Sequence, residues 1–357
     1  MYPRTSREEI ADTVAKIDAL TRGDRSEENI AAMRKASEYL WPEVQKFLIE
    51  EGARQHGVTG DPYEPYYTTD ANGRRTLHGS ADAWWLKDFK REDVLLTLPG
   101  IAIMNTKPWH IGSVCISLAA AYGVSQLEEC DDCFSEPDIL AHIERFPQGQ
   151  FAAQLISGPN AGNCAGMATT MQTSREPTAP IIPWLEAIGD MQLCAHEPDG
   201  EWLYGVEMAV HPRSQGQGIG SALYEARFGL VKHLNLRGMY MVGMLMGYRK
   251  TAVDALKWRQ KRALKKLRAK IADWGSTPEN RYKAKLKLED YPKYADLMDA
   301  REYGAKVIAG EINDPTVTMQ MNRGFSPKRV VTDYVDEPAA GDAGVLLIWE
   351  NRESSEV

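Results

Sequence analysis

The stretch Val210-His211-Pro212-Arg213-Ser214-Gln215-Gly216-Gln217-Gly218-Ile219-Gly220 places three glycines in five positions, directly after an alternating apolar run. Glycines let an anion approach the main chain without meeting a Cβ. A helix that starts there leaves its first N–H groups unpaired and points the positive end of its dipole at the turn. The chemistry this suits is cradling the phosphates of a cofactor. Two common phosphate loops are excluded. A P-loop closes on Gly-Lys-Ser/Thr, and here Gly220 is followed by Ser221 and Ala222. A dinucleotide fingerprint beginning at Gly216 or Gly218 needs a further glycine at Ser221 or Leu223.

The neighbouring elements must hold this turn. WLYGVEMAV, residues 202–210, alternates as a strand does and stops at His211-Pro212, where proline ends pairing. GQGIGSALYEARFGLVKHLNL reads as a helix entered through glycines, and GMYMVGMLMGY as the next strand. Upstream, IAIMNTK, QFAAQLI and NCAGMATTMQ are strand-like, and DILAHIERF is a helix with Ser135 and Pro137 near its start. VLLIWEN supplies a late strand. Strand, glycine turn, helix, strand predicts an α/β fold. Residues 8–54 carry helical spacing, as in Ile10, Val14, Ile17 and Leu20. A soft boundary falls near Pro99. This divides the chain into a mainly helical region, 1–98, and an α/β domain, 99–357, interrupted at about 249–302 by a basic helical insertion. In that insertion, the helix at 250–270 is read as a solvated face packed by its apolar stripe, or else as a docking face for an acidic partner.

Composition narrows the classes. The 357 residues are 43% hydrophobic and carry a net charge of −8, so coating nucleic acid is not expected. No apolar run is long enough to span a membrane, and the N-terminus lacks the pattern of a signal peptide. The cytoplasm is therefore the expected compartment. Five cysteines are too few for a disulfide framework, and the Cys130/Cys133 pair is read as ordinary thiols, without a metal site.

A second motif sharpens the first. Asn313-Asp314-Pro315 leads through Gln320 to Gly324-Phe325. Together with Val-x-Pro and Gln-x-x-Gly-x-Gly at 210–220, it resembles the GNAT acetyltransferase superfamily, in which the glycine turn holds the acetyl-CoA pyrophosphate. FPQGQF, YGVEMAVHP, LYEAR and GEINDPTVTMQMNRGF resemble a GNAT subgroup often fused to a carbon–nitrogen hydrolase domain. The resemblance covers about residues 101–248 and 303–350. It implies a central mixed, mostly antiparallel sheet flanked by helices. It implies acetyl-CoA as co-substrate with no metal, and an amine acceptor that is a small molecule or a protein group. A homodimer is possible within the family pattern.

The resemblance also assigns roles. Met208, Ala209 and Val210, with Gln215, Gly216, Gln217, Gly218, Ile219, Gly220 and Ser221, are expected to bind the cofactor. Asn313 is expected to hold it as well, or to act as a plain helix N-cap. Glu207, on the strand before the turn, is expected to take the amine proton, or else to face an ion-pair partner and only hold the sheet. Tyr204 is three residues earlier, hence expected on the other face, where it can still orient substrate. Gln320 occupies the position of the family's usual tyrosine acid; it cannot donate a proton as an acid but can hydrogen-bond a thiolate or carbonyl. His211 reads as structural, and Arg213 and Arg227 as solvated surface residues that could pair with phosphates. Trp84, Trp85 and the Tyr66-Tyr67 pair could wall the acceptor cleft or pack a core. The alternative to catalysis is a CoA-binding sensor or scaffold.

Overall fold

The computed structural model describes residues 6–37, 41–64, 66–69, 71, 75–78, 85–124, 133–248, 298–335, 337 and 340–353. The amino-terminal helices are α1 (Arg7–Thr21), α2 (Glu27–Lys35) and α3 (Trp41–Gln55). Ser6 and Ser26 cap the first two, accepting the N–H groups of Glu9 at 3.1 Å and Asn29 at 3.3 Å. A small hairpin follows, β1 (Tyr66–Thr69) with β2 (Arg75–His78). Then come β3 (Val94–Leu98), β4 (Ile101–Asn105), α4 (Ile111–Tyr122), α5 (Glu136–Arg145), β5 (Gln150–Leu155), β6 (Cys164–Thr173) and α6 (Trp184–Ile188). The strand before the glycine turn is β7 (Trp202–Val210), and the helix after it is α7 (Ile219–His233). The remainder is β8 (Gly238–Met244), α8 (Ala300–Ile308), α9 (Val317–Met321), β9 (Ser326–Thr332) and β10 (Ala343–Glu350).

The chain forms two compact units. One comprises Met1–Ser174, Ile188–Arg237 and Asn351–Val357. In it β3 to β7 pair in chain order, every pair antiparallel. Helix α4 packs on β6 and β7, and α7 lies across β3 to β7. The other unit comprises Arg175–Ala187 and Gly238–Glu350. There β10 lies between β8 and β9, antiparallel to both, with α8 on β9 and β10 and α9 on β8 and β10. The α/β class, with antiparallel strands flanked by helices and a helical amino-terminal region, is as the sequence implied.

Some expectations change. Residues 111–122 carry apolar side chains on nearly every side and show no helical stripe, yet they form α4, which buries Val114, Cys115, Leu118 and Ala119. Trp85 is 1% exposed and packs with Leu86, Phe89, Ala102, Met104 and Ile156, so it belongs to a core and walls no cleft. Trp84 and the basic helix at 250–270 lie outside the described residues. Cys133 is disulfide-bonded, which corrects the expectation of an ordinary thiol; Cys130 lies outside the described residues. Among the described residues no helix is long and apolar enough to cross a membrane.

Two buried histidines tie this framework to pH. Lys107 N–H donates to His110 Nδ1 at 3.0 Å, which leaves the proton on Nε2, 2.8 Å from Gln154 Oε1. Burial lowers the titration of His110 from 6.5 to about 4. His142, equally buried, is lowered by the same cause and donates from Nε2 to Met191 O at 2.7 Å. Both rings are neutral in the folded chain at pH 7. Below the ordinary histidine value the unfolded chain takes up protons that the folded chain does not. For His110 this stability is therefore complete above about pH 6.5 and is lost as pH falls towards 4, at up to about 1.4 kcal/mol per unit, and the lowered titration of His142 adds a loss of the same sign. The urea midpoint should decline across that window, and decline less steeply in His110→Gln. A flat profile, or equal slopes for the two proteins, would contradict this account.

Candidate functional site

Strand β7 delivers the chain to the turn. Gly166 faces Val210 and Met167 faces Ala209, so the strand stays paired to its last residue. A single turn of 3-10 helix, Pro212–Ser214, then redirects it, and His211 Nδ1 accepts the Arg213 N–H at 3.2 Å. The Gln215 side chain donates to Val210 O at 3.3 Å and closes the loop on itself. Gly216 and Gly218 have φ of +79° and +85°, in the left-handed region that residues with a Cβ avoid. Gly218 is the N-cap of α7, and the Ala222 N–H closes back onto its carbonyl at 3.0 Å. Residues 215–218 are exposed, while Ile219 is buried and pins the helix start. The result is an exposed turn at the positive end of a 15-residue helix, a form that binds anions.

The side chains of β7 are redirected by a bulge. Thr170 faces Gly205 while Thr169 faces Glu207, so Val206 is the extra residue. Met171 faces Tyr204. Met171 and Thr169, two apart on β6, project to one side, so Tyr204 and Glu207 share a face. The expectation that three residues of separation would put Tyr204 on the opposite face is corrected, because simple alternation does not survive a bulge. The shared face is the one covered by α4: Tyr122 Oη–H donates to Glu207 Oε2 at 2.8 Å. The other oxygen, Oε1, accepts the Met208 N–H at 2.8 Å. Glu207 is half-buried and Tyr122 is exposed.

Met208 turns to the opposite face, towards α7. Its Sδ lies 3.0 Å from Arg227 Nη2, and the Arg227 guanidinium sits 4.0 Å from the Tyr224 ring centroid. Arg227 is 1% exposed, which corrects its reading as a surface residue. Burial lowers its pKa, and the pull of Tyr224 and of the Glu207 charge opposes that. A cation stacked on an aromatic face recovers part of its desolvation cost, about 2 kcal/mol.

In the second unit, Gln320 is 4% exposed, and its amide lies against β8, with Nε2 3.5 Å from Met241 Sδ. An added Cβ on Gly243 would meet Gln320 Oε1 at 2.1 Å, so the missing side chain of Gly243 is what admits this amide. Asn313 is exposed and does not cap a helix; α9 begins at Val317 with Thr316 as N-cap. The anchor is the next residue. Asp314 is buried, and its carboxylate accepts the N–H groups of Thr316 and Val317, at 2.9 and 3.0 Å, and that of Gly247 at 2.8 Å. It also accepts the Tyr303 hydroxyl at 3.2 Å. Removing this carboxylate strands several buried donors at once, so Asp314→Ala should lower the unfolding free energy by roughly 2–4 kcal/mol. Urea denaturation measures this, and an unchanged midpoint would refute it.

No group of His, Cys, Asp and Glu side chains among the described residues could hold a metal ion. No protein-family model matches the chain. Over 227 residues it is 28% identical to the probable hydrolase YhcX of Bacillus subtilis strain 168, which covers 62% of this chain and 35% of that protein. The chain thus spans about a third of that relative's length. Over 235 residues it is 26% identical to the uncharacterized N-acetyltransferase YkwB of the same organism, covering 64% of this chain and 83% of that one. Among solved structures, the loading GNATL domain of CurA from Lyngbya majuscula superposes with a TM-score of 0.45 at 13% identity, covering 70% of this chain and 97% of that one. In sequence the chain thus resembles one N-acetyltransferase and one probable hydrolase, and its antiparallel strands flanked by helices, with the glycine turn, resemble the GNAT superfamily.

Proposed function

We propose that this protein is an acyl-CoA-dependent N-acyltransferase, with acetyl-CoA as donor and a primary amine as acceptor. The observation that carries the proposal is the exposed turn at 215–218, with Gly216 and Gly218 at positive φ against the N-terminus of α7. In this reading, the main-chain N–H groups from Gln215 to Ser221 take the pyrophosphate, and Met208 to Val210 run beside the pantetheine arm.

The chemistry is direct transfer. The amine nitrogen attacks the thioester carbon, the oxyanion forms and collapses, and the carbon–sulfur bond breaks. An alkyl ammonium titrates near 10.4, so only roughly one in 2,500 is neutral at pH 7. Glu207 takes the proton, directly or through water, and Tyr204, on the same face, orients the acceptor. The thiolate leaves as an anion or takes a proton from water, because Gln320 supplies none. Alignment of the two substrates contributes several kcal/mol beyond this.

The test is thiol release from acetyl-CoA over a panel of amines, run beside calorimetric titration with CoA. Amine-dependent thiol release with micromolar CoA binding supports the reading. Binding without turnover for any amine replaces it with a sensor or scaffold role, and no binding removes the cofactor assignment altogether.

A further inference from the structure

Glu207 accepts at both oxygens, from one donor on its own strand and from another on a distant helix. The Met208 N–H on Oε1 is local: the bulge at Val206 turns the main chain so that the carboxylate folds back on the next amide. The Tyr122 hydroxyl on Oε2 comes from the last residue of α4, 85 positions earlier. The C-cap of α4, Gly123, has φ +75°, so the helix ends immediately after the tyrosine. Among the described residues, the charged and titratable groups around this carboxylate include Tyr122 from α4, Tyr204 on its own face of β7, and Arg227 from α7 beneath the strand. Tyr122 is 40% exposed and Glu207 half-buried, so an acceptor arriving from solvent can meet the pair.

We propose that Tyr122 is a positioning residue for Glu207 and that the Tyr122–Glu207 pair forms the subsite that receives the acceptor as a primary ammonium. The inference rests on the transfer reading above. A carboxylate whose two oxygens are both directed by donors is held in a fixed orientation. An ammonium N–H can donate to an oxygen held this way before it passes its proton to the carboxylate. A phenol that donates to the ionised form also favours that form over the protonated one. Tyr122 therefore controls both where the carboxylate points and the pH at which it works, without touching the reacting carbon.

The test is Tyr122→Phe, which removes one oxygen and keeps the ring. Three quantities are compared with the native protein: the Glu207 carboxyl titration by 13C NMR of glutamate-labelled protein, the acidic limb of kcat/KM against pH, and the Michaelis constants for amine and acetyl-CoA. The Glu207 signal is assigned with Glu207→Gln. The carboxyl titration and the acidic limb should both move up by about half a pH unit or more. The amine Michaelis constant should rise roughly threefold to tenfold, with that for acetyl-CoA unchanged. An unmoved carboxyl titration overturns the inference, and so does an equal rise in both Michaelis constants. A native protein that binds CoA but turns over no amine sinks the transfer reading alone. The carboxyl titration still decides whether Tyr122 governs Glu207 in that case.

Discussion

Gly218→Val should weaken CoA binding by about 100-fold or more and leave the protein folded. Gly218 sits at φ +85° as the N-cap of α7. A left-handed conformation costs an ordinary residue roughly 1–2 kcal/mol, and a β-branched one more. The effect does not begin with a clash at Cβ, which would meet only the Leu98 side chain, at Cδ2 3.7 Å and Cδ1 4.0 Å, both ordinary contacts. Strain must therefore be relieved by rotating the backbone. The helix cannot follow, because Ile219, Leu223, Tyr224 and Val231 anchor it in the core. The exposed loop is the part that gives, and its amides lose their common direction. A factor of 100 is about 2.7 kcal/mol, the size expected when one or two amide hydrogen bonds to a charged phosphate are lost. Gln217→Ala is the control, since that position is read as contributing only its main chain, and its affinity should stay within about threefold. Calorimetric titration with CoA measures both variants. Native affinity in Gly218→Val would remove this turn as the phosphate site.

The contrast between Gly218 and Glu207 shows what sequence carries and what it does not. The turn was legible because its requirements are local. Glycines at positive φ, a proline that ends a strand and a helix that begins at once are all written in adjacent residues. Strand β7 was legible for the same reason, since alternation is a property of neighbours. The surroundings of Glu207 are not local. The bulge that brings Tyr204 to its face is a mismatch between two strands, and neither strand alone records it. Tyr122 was missed because α4 is apolar on nearly every side, so its residues show no stripe to mark a helix or its end. Asn313 and Asp314 differ in a third way. Both residue types suit a helix start, and only burial beside Gly247 and Tyr303 selects the aspartate as the anchor. Arg227 follows the same logic, since nothing in LYEAR distinguishes a buried guanidinium from a solvated one until Tyr224 and Met208 are placed against it.

Glu207→Gln should lower kcat by about 100- to 1,000-fold and leave CoA affinity within about twofold. Glutamine keeps the shape of the side chain, and its carbonyl oxygen can still accept from Tyr122 or from the Met208 N–H, though not from both. What it cannot do is accept a proton. The amine must then lose its proton to solvent, and at pH 7 that limits the reactive fraction to the same one in roughly 2,500. The loss is smaller than that factor because alignment of the two substrates is retained. This origin predicts a specific pH dependence. As pH approaches the amine's own value near 10, solvent does the work of the carboxylate, so the deficit of the variant should shrink towards roughly tenfold or less. A purely structural role for Glu207 would instead give a deficit that is constant with pH and accompanied by a lower unfolding midpoint. Turnover of the variant and the native protein, measured from pH 6.5 to 9.5 at saturating acetyl-CoA, separates these cases. Unchanged turnover at pH 7 would eliminate Glu207 as the base and leave substrate alignment as the source of the rate.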